Sequence, residues 1–213
     1  MRIANAKRAI VVAGFMAATA VVLSALAVVP PHQQASQPGP QEVVLVLDPG
    51  QCKVHYTVDS TLHTVHGTFN LKSGNVHLDP NSGKASGEII VFATSGDSGN
   101  TSRDERMHKE ILQTQKYPDA IFHPTQVEGK VSRTGASDVQ LHGVILLHGQ
   151  EHEMVSTVHA DLAVERWTGT AKFDVPYIQW GIKDPSNWLL KVKPVVHVEV
   201  DMAGSASPSG PAK

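Results

Sequence analysis

Between Glu42 and Gly204 the chain is a succession of short runs in which apolar and polar residues alternate, each broken by turn residues. A period of two is the signature of half-buried strands. Val54, Tyr56 and Val58 alternate with His55, Thr57 and Asp59 after the turn Asp48-Pro49-Gly50. Val65, Gly67, Phe69 and Leu71 oppose His66, Thr68, Asn70 and Lys72, and the spacing predicts a turn at Ser73-Gly74 before Val76 and Leu78. Asp79 to Gly83 supplies another. Ile89, Val91 and Ala93 oppose Glu88, Ile90 and Phe92, so this strand carries apolar residues on both faces and is expected to be central or covered. Further runs span 120–127, 139–148, 155–164, 168–175 and 195–202, with turns expected at Gly149-Gln150 and Thr168-Gly169. Connections of hairpin length make the pairing antiparallel. About eight or nine such strands in about 160 residues fit a closed barrel or a sandwich.

One segment breaks the period. Ser102 and Glu105 form a capping box, which predicts a helix from Arg103, with Met107, Ile111 and Leu112 as its apolar stripe and Pro118 as its stop. A helix with so narrow a stripe cannot stand alone and must pack on the sheet. Arg103 and Asp104 open it, the Asp favoured by the positive end of the helix dipole; their expected duty is structural, fixing the helix to the barrel together with Met107 and Ile111.

The ends read differently. Arg2, Lys7 and Arg8 precede an uncharged run from Ala9 to Val29, and Ala25 and Ala27 fit a small-x-small cleavage pattern. Residues 1–29 are expected to be a secretory signal cut after Ala27, or an uncleaved anchor, since the run also has the length of a membrane span. Residues 30–41, rich in Pro and Gln, read as a flexible spacer, and 205–213 as a frayed tail. The folded unit is placed at 42–204. Net charge is −2, and the three leader cations are part of that balance, so the remainder is more acidic still. Such a surface disfavours nucleic acid. Cys52 is the only thiol, so no internal disulfide holds the fold, and a buried, inert cysteine is expected.

Two patterns invite catalytic readings. Gly96-Asp97-Ser98-Gly99 copies the surroundings of a serine-protease nucleophile, but no companion motif supplies the base and orienting carboxylate of a triad. A turn before the capped helix is the better reading. Of the twelve histidines, His142, His148, His152 and His159 are the nearest grouping for a metal, yet they largely alternate with apolar residues as exposed strand positions do, and no HExxH motif occurs. No metal site and no enzymatic activity are expected. His63 and His66 lie between two strands, and Tyr177, Trp180 and Trp188 in an irregular Pro/Gly-rich connection; His63, His66, Tyr177 and Trp180 are candidates for a barrel mouth.

The order LDPGQCKVHYTVDSTLHTVHGTF, SGNVHLDP, GNTSRDERMHKEIL, KYPDAIF, LHGVILLHG and GIKDPSNWLLKVKPVVHVEVDM resembles the YceI-like family of secreted, lipocalin-like polyisoprenoid-binding proteins. The resemblance runs from Val46 to Met202 and is most specific at Gly99-Asn100, Arg103-Asp104, Met107 and Lys116-Tyr117-Pro118 through Phe122. Where many members carry an Arg before Asp-Phe-Gly, this chain has Phe173-Asp174-Val175-Pro176-Tyr177-Ile178-Gln179-Trp180-Gly181. The resemblance implies an all-β fold, an eight-stranded antiparallel lipocalin-like barrel with one short helix beside it, and a long apolar pore for an isoprenoid such as a quinone tail. It also implies a periplasmic or secreted protein.

Small inward residues such as Val, Ala and Gly favour a lined cavity over a filled core. Strand parity, which one residue of slip would invert, assigns the lining: Val54, Tyr56 and Val58 from one run, Val65 and Phe69 from the next, then Ile89 and Val91, then Leu141, Ile145 and Leu147, then Val158 and Leu162, and last Phe173, Val196 and Val198. The expected function is to carry, store or sequester a long apolar chain, with no cofactor beyond a bound isoprenoid or quinone lipid, an apolar lipid as partner, and association with a membrane surface. The rivals are a metal-binding or enzymatic barrel that uses the surface histidines, and a filled barrel serving as an interaction module.

Overall fold

The computed structural model describes residues 42–208, and in them the alternation is realised as nine strand segments: β1 Val43–Leu47, β2 Lys53–Asp59, β3 Thr64–Leu78, β4 Ala85–Asp97, β5 Asp119–Glu128, β6 Gly135–Leu147, β7 Gln150–Leu162, β8 Arg166–Val175 and β9 Val196–Pro208. The expected leader and spacer, 1–29 and 30–41, lie outside the described residues. Every pairing is antiparallel, and each strand from β2 to β8 pairs with its successor in the chain. β1 and β2 both pair with β3 on one side and β9 on the other, β1 at Leu78 and Pro208, β2 at Phe69 and Val200. They are two halves of one broken strand, so the ring closes as an eight-stranded up-and-down barrel. Closure leaves no sheet edge to protect.

Cys52 sits at the break in that strand. Its thiol donates to the Ala203 carbonyl at 3.4 Å and is buried, and the burial pushes its pKa up. Both long connections, 98–118 between β4 and β5 and 176–195 between β8 and β9, leave from the same end of the barrel. The short β2–β3 and β6–β7 loops share that end, because strand direction reverses at every step.

Several sequence expectations are corrected. Ser73-Gly74 is no turn: β3 runs through it, with a register irregularity between Leu71 and Ser73 that absorbs the break in alternation. The helix, α1 Thr101–Arg106, is capped by Asn100, whose side-chain oxygen accepts the Arg103 N–H at 3.0 Å, so the Ser102–Glu105 box is not the cap. It continues as a π-helical turn, Met107–Ile111, and the chain leaves it at Leu112, well before Pro118. Gln113 takes a positive φ of 48° and accepts from the Lys116 and Tyr117 amides, and that turn carries the chain into β5.

The tail is corrected too: Ser205–Pro208 belongs to β9, paired with β1, and Ala206 is buried. Thr168-Gly169 lies inside β8; the β7–β8 turn is at 163–165. β4 is not covered on both faces. Phe92 is exposed on the outside, with the Lys72 ammonium 5.2 Å from its ring centroid.

The barrel's two halves are packed differently. In the half where β1 begins and β9 ends, Leu47, Leu71, Val158, Leu162, Trp167, Ala171, Met202 and Ala206 form a continuous core. Trp167, reaching inward from β8 with 5% exposure, is its largest member. At the other end Val175, Tyr177 and Ile182 form a smaller cluster with Ile111, Leu147 and Val196 around it. Inward glycines do not all leave room as expected. A Cβ at Gly67 would fall on the Tyr56 ring, and one at Gly143 on the Phe122 ring, so these positions house aromatic rings of the neighbouring strand.

Candidate functional site: an apolar cavity at the helix end

The half of the barrel beneath the two long connections contains a cavity of about 330 Å³. Its wall comes from inward positions of β2 (Val54, Tyr56, Val58), β3 (Val65, Phe69), β4 (Val91, Ala93), β5 (Ala120), β6 (Ile145, Leu147), β8 (Phe173, Val175) and β9 (Val196, Val198). Its cover comes from Met107, Ile111 and Leu112 of the helical segment and from Tyr177, Ile182, Pro185, Leu190 and Val192 of the 176–195 connection. The polar groups at the wall are few: Ser60, His63, Arg103, Arg106 and the two phenols. His63 and Arg106 are exposed, so the cavity meets the surface beside them.

The cover is tied down by polar contacts. The Arg103 guanidinium donates to the Ser98 hydroxyl at 2.7 Å and to the Ser98 carbonyl at 2.8 Å. Ser98 in turn donates from its backbone N–H to the Asp104 carboxylate at 3.1 Å. This clasp explains the GDSG segment: the Ser98 hydroxyl is occupied by Arg103 and Asp104, and its surroundings position a helix. His108 Nε2 is 3.0 Å from the Gly96 carbonyl. A Cβ at Gly96 would strike Met107 and Phe69, so glycine there lets the helical segment lie close on the barrel. Lys183 pairs with Glu110 at 2.7 Å, and Arg106 donates to the Pro185 carbonyl at 3.2 Å, joining helix to connection. The Lys183 hydrogen bond and charge hold the Glu110 carboxyl below its usual value.

Tyr56 packs on Phe69 with ring centroids 5.3 Å apart, and its hydroxyl lies 3.8 Å from the Met107 sulfur. Burial raises its pKa, helped by the Asp104 charge. Burial likewise pushes the Tyr177 phenol up to about 12, with Asp184 adding to the effect. Both phenols are neutral at physiological pH. The Tyr177 hydroxyl is buried and makes no hydrogen bond, which costs free energy until something meets it.

Most residues assigned by parity lie on this wall, and four do not. Ile89, Leu141, Val158 and Leu162 face inward but pack in the closed half. Parity gives the face of a strand and says nothing about the height along the barrel. Of the candidate mouth residues, His63 and Tyr177 line the cavity. His66 is exposed, its Nδ1 3.0 Å from the Thr57 hydroxyl, and Trp180 stacks on His152 at 4.4 Å between centroids. Arg103, Met107 and Ile111 line the cavity, whereas Asp104 holds Ser98 outside it.

The lining residues missed are Ser60, Ala93, Arg106, Ala120 and Val175, and Ile182, Pro185, Leu190 and Val192 of the 176–195 connection. Ala93 and Val175 were legible, since they share the parity of Val91 and Phe173. The connection has no period to read.

Among the described residues no group of three or more His, Cys, Asp or Glu side chains is placed to hold a metal ion. His142 faces Glu128 at 3.3 Å, His159 faces Asp138 at 2.7 Å, and His148 packs 4.6 Å from the Tyr117 ring.

Comparison with known proteins gives one sequence match and several structural ones. The family model described as YceI-like domain matches residues 45–203. No curated protein matches the sequence. Among solved structures, Burkholderia cenocepacia BcnA is similar with a TM-score of 0.60 at 14% identity, over 74% of this chain and 99% of that one. A polyisoprenoid binding domain from Saccharophagus degradans, implicated in plant cell wall breakdown, has a TM-score of 0.55 at 13% identity, over 76% and 98%. The Campylobacter jejuni YCEI protein has a TM-score of 0.51 at 14% identity, over 64% and 83%. At such identities the structural likeness speaks to the fold alone.

Proposed function

Because this chain belongs to the YceI-like domain family, we propose that it is an exported carrier which holds an isoprenoid, quinone-like or other long apolar chain in the helix-end cavity. The observation that carries the reading is the wall itself: a half-enclosed space whose lining is almost wholly aliphatic and aromatic, with cationic groups only at its edge. The polyisoprenoid-binding description of the Saccharophagus degradans relative supports the ligand class. A site of this kind binds by removing apolar area from water. A chain burying on the order of 300 Å² gains roughly 7 kcal/mol, and association returns several of them. No covalent step is required of the residues around it.

The cavity lies near the lower end of the ~300–1,000 Å³ typical of small-molecule sites. It suits one apolar chain end, with the remainder and any headgroup at the mouth beside His63, Arg103 and Arg106. Export follows from the leader reading of residues 1–29.

The test is native mass spectrometry with organic extraction on protein recovered from the exported fraction of its own host. A stoichiometric prenyl or acyl compound is expected. Apo protein that also refuses long-chain prenyl ligands overturns the carrier reading.

A further inference from the structure

Next to the cavity mouth the chain holds three large apolar side chains out into solvent: Trp188 at 90% exposure, Leu189 at 60% and Leu62 at 63%. They are not frayed ends. The Asn187 carboxamide oxygen accepts the Leu189 and Leu190 amides at 2.9 and 2.7 Å, and the Asn187 N–H donates to the Leu190 carbonyl at 2.8 Å. Trp188 and Leu189 are therefore the tip of a closed turn. The Ser186 hydroxyl accepts the Val192 amide at 2.9 Å and steadies its base. Leu62 is joined to the same structure by the Thr61 amide, which donates to the Lys191 carbonyl at 2.9 Å. Leu190 and Val192, next along the chain, line the cavity, as do Ser60 and His63 on either side of the Leu62 loop. The exposed apolar tips and the cavity wall thus belong to the same two loops.

We infer that this apron docks the barrel mouth onto the surface of an anionic lipid bilayer, with Trp188, Leu189 and Leu62 entering the interfacial region. Indoles favour that region, where an apolar ring and a polar N–H are both accommodated. Charge supports the same occupant. Lys191 and Lys193 follow the turn, with Asp184 as the acid before it and Lys183 already paired with Glu110, on a chain whose net charge is −2. Local positive charge beside an apolar tip suits anionic headgroups, and lysine stems can lie along the interface with their ammonium groups in water. A second copy docked across a two-fold axis would instead bring the lysines against one another. The inference rests on the carrier reading for its purpose: a bilayer against the mouth lets an apolar chain pass between membrane and cavity without crossing water.

The test uses the protein as its host accumulates it, vesicles of phosphatidylcholine with and without phosphatidylglycerol, and W188S/L189S. Neither residue lines the cavity or is buried, so circular dichroism and solution binding of farnesol are expected to be unchanged in the variant. Wild-type protein is expected to sediment with the phosphatidylglycerol vesicles, less so at high salt, and its tryptophan emission to be quenched by brominated lipid. Trp167 is buried and Trp180 stacked, so the quenched emission reports Trp188. The variant should lose vesicle affinity by about tenfold or more.

Wild-type protein that stays off the vesicles, or a variant that sediments equally well, overturns the inference. So does a wild-type dimer in sedimentation velocity that the variant dissolves, which would make the apron a contact between copies. Loss of farnesol binding in wild-type protein with vesicle docking intact would overturn the carrier reading and leave docking standing.

Discussion

Trp167 is the largest side chain of the core that fills the other half of the barrel, and Trp167→Ala tests whether that core sets the depth of the cavity. The indole is 5% exposed within a core that includes Leu162, Ala171, Met202 and Ala206. Truncating a buried tryptophan to alanine costs about 3–5 kcal/mol. The indole N–H is buried with no partner, so its removal relieves a desolvation penalty of roughly 1–3 kcal/mol. The expected loss is therefore at the lower end, about 3 kcal/mol. For a domain of this size 1 kcal/mol moves the Tm by roughly 2–4 °C, which gives a fall of about 6–12 °C. Val91 both lines the cavity and packs on this core, so space released in the core should let the cavity take longer chains. The assay pairs thermal melts with native mass spectrometry against prenyl alcohols of increasing length. Trp167→Phe, which keeps most of the volume and loses the unpaired N–H, should stay within about 1 kcal/mol of wild type. A Tm fall of less than about 2 °C in Trp167→Ala would refute the packing argument. The expected fall with an unchanged chain-length preference would show that the core does not set the cavity's depth.

Other outcomes follow from the same geometry. Ala93 is buried and lines the cavity, so Ala93→Phe should fill it and weaken prenyl binding by about tenfold or more, with stability changed by less than about 1 kcal/mol; unchanged ligand occupancy by native mass spectrometry would count against the site. Tyr177 has a folded pKa raised to about 12, against about 10 when unfolded. The unfolded chain loses that proton first, so this stabilisation is complete below about pH 10 and roughly 2–3 kcal/mol is lost as pH rises to about 12. Denaturant melts across that window should show a shallower decline in Tyr177→Phe, the remainder coming from Tyr56, whose pKa is also raised. Glu110 is shifted the other way. Its tie to Lys183 is present above the ordinary carboxylate pKa and is lost as pH falls through the lower, folded value, so amide protection at 107–111 and 183–185, measured against the intrinsic exchange rate at each pH, should fall in acid and lose that dependence in Lys183→Met. Arg103→Met leaves the Ser98 carbonyl and the Asp104 carboxylate without their cation-linked clasp, which should cost about 2 kcal/mol and raise exchange in 101–111; protection equal to wild type would show that the helix is held by its apolar contacts alone.

The alternation from Val54 to Met202 determined the strands, their antiparallel hairpins and the inward faces, because side chains of a strand change sides at every residue whatever else surrounds it. Ser102, Glu105, Met107 and Ile111 likewise announced a helical segment through local capping and spacing, although the residue that caps it is Asn100. Height along the barrel was not legible. Val54 and Val158 have the same parity and chemistry, yet one lines a cavity and the other fills a core. That difference arises from which residues stand opposite across the barrel: Val158 packs in the core with Trp167, whereas Val54 shares its space with the helical segment. Two further features were decided only by the tertiary structure. β1 and β2 share one place in the ring because β3 and β9 are each long enough to span both. The 176–195 connection, whose residues have no period, takes its form from the surface on which it lies: Tyr177 and Ile182 are turned inward by the open barrel end, and Trp188 is turned out by an Asn187 turn that no repeating pattern marks. A strand's period is a property of its own backbone, but the depth of a cavity and the path of its cover are set by contacts between residues far apart in the chain.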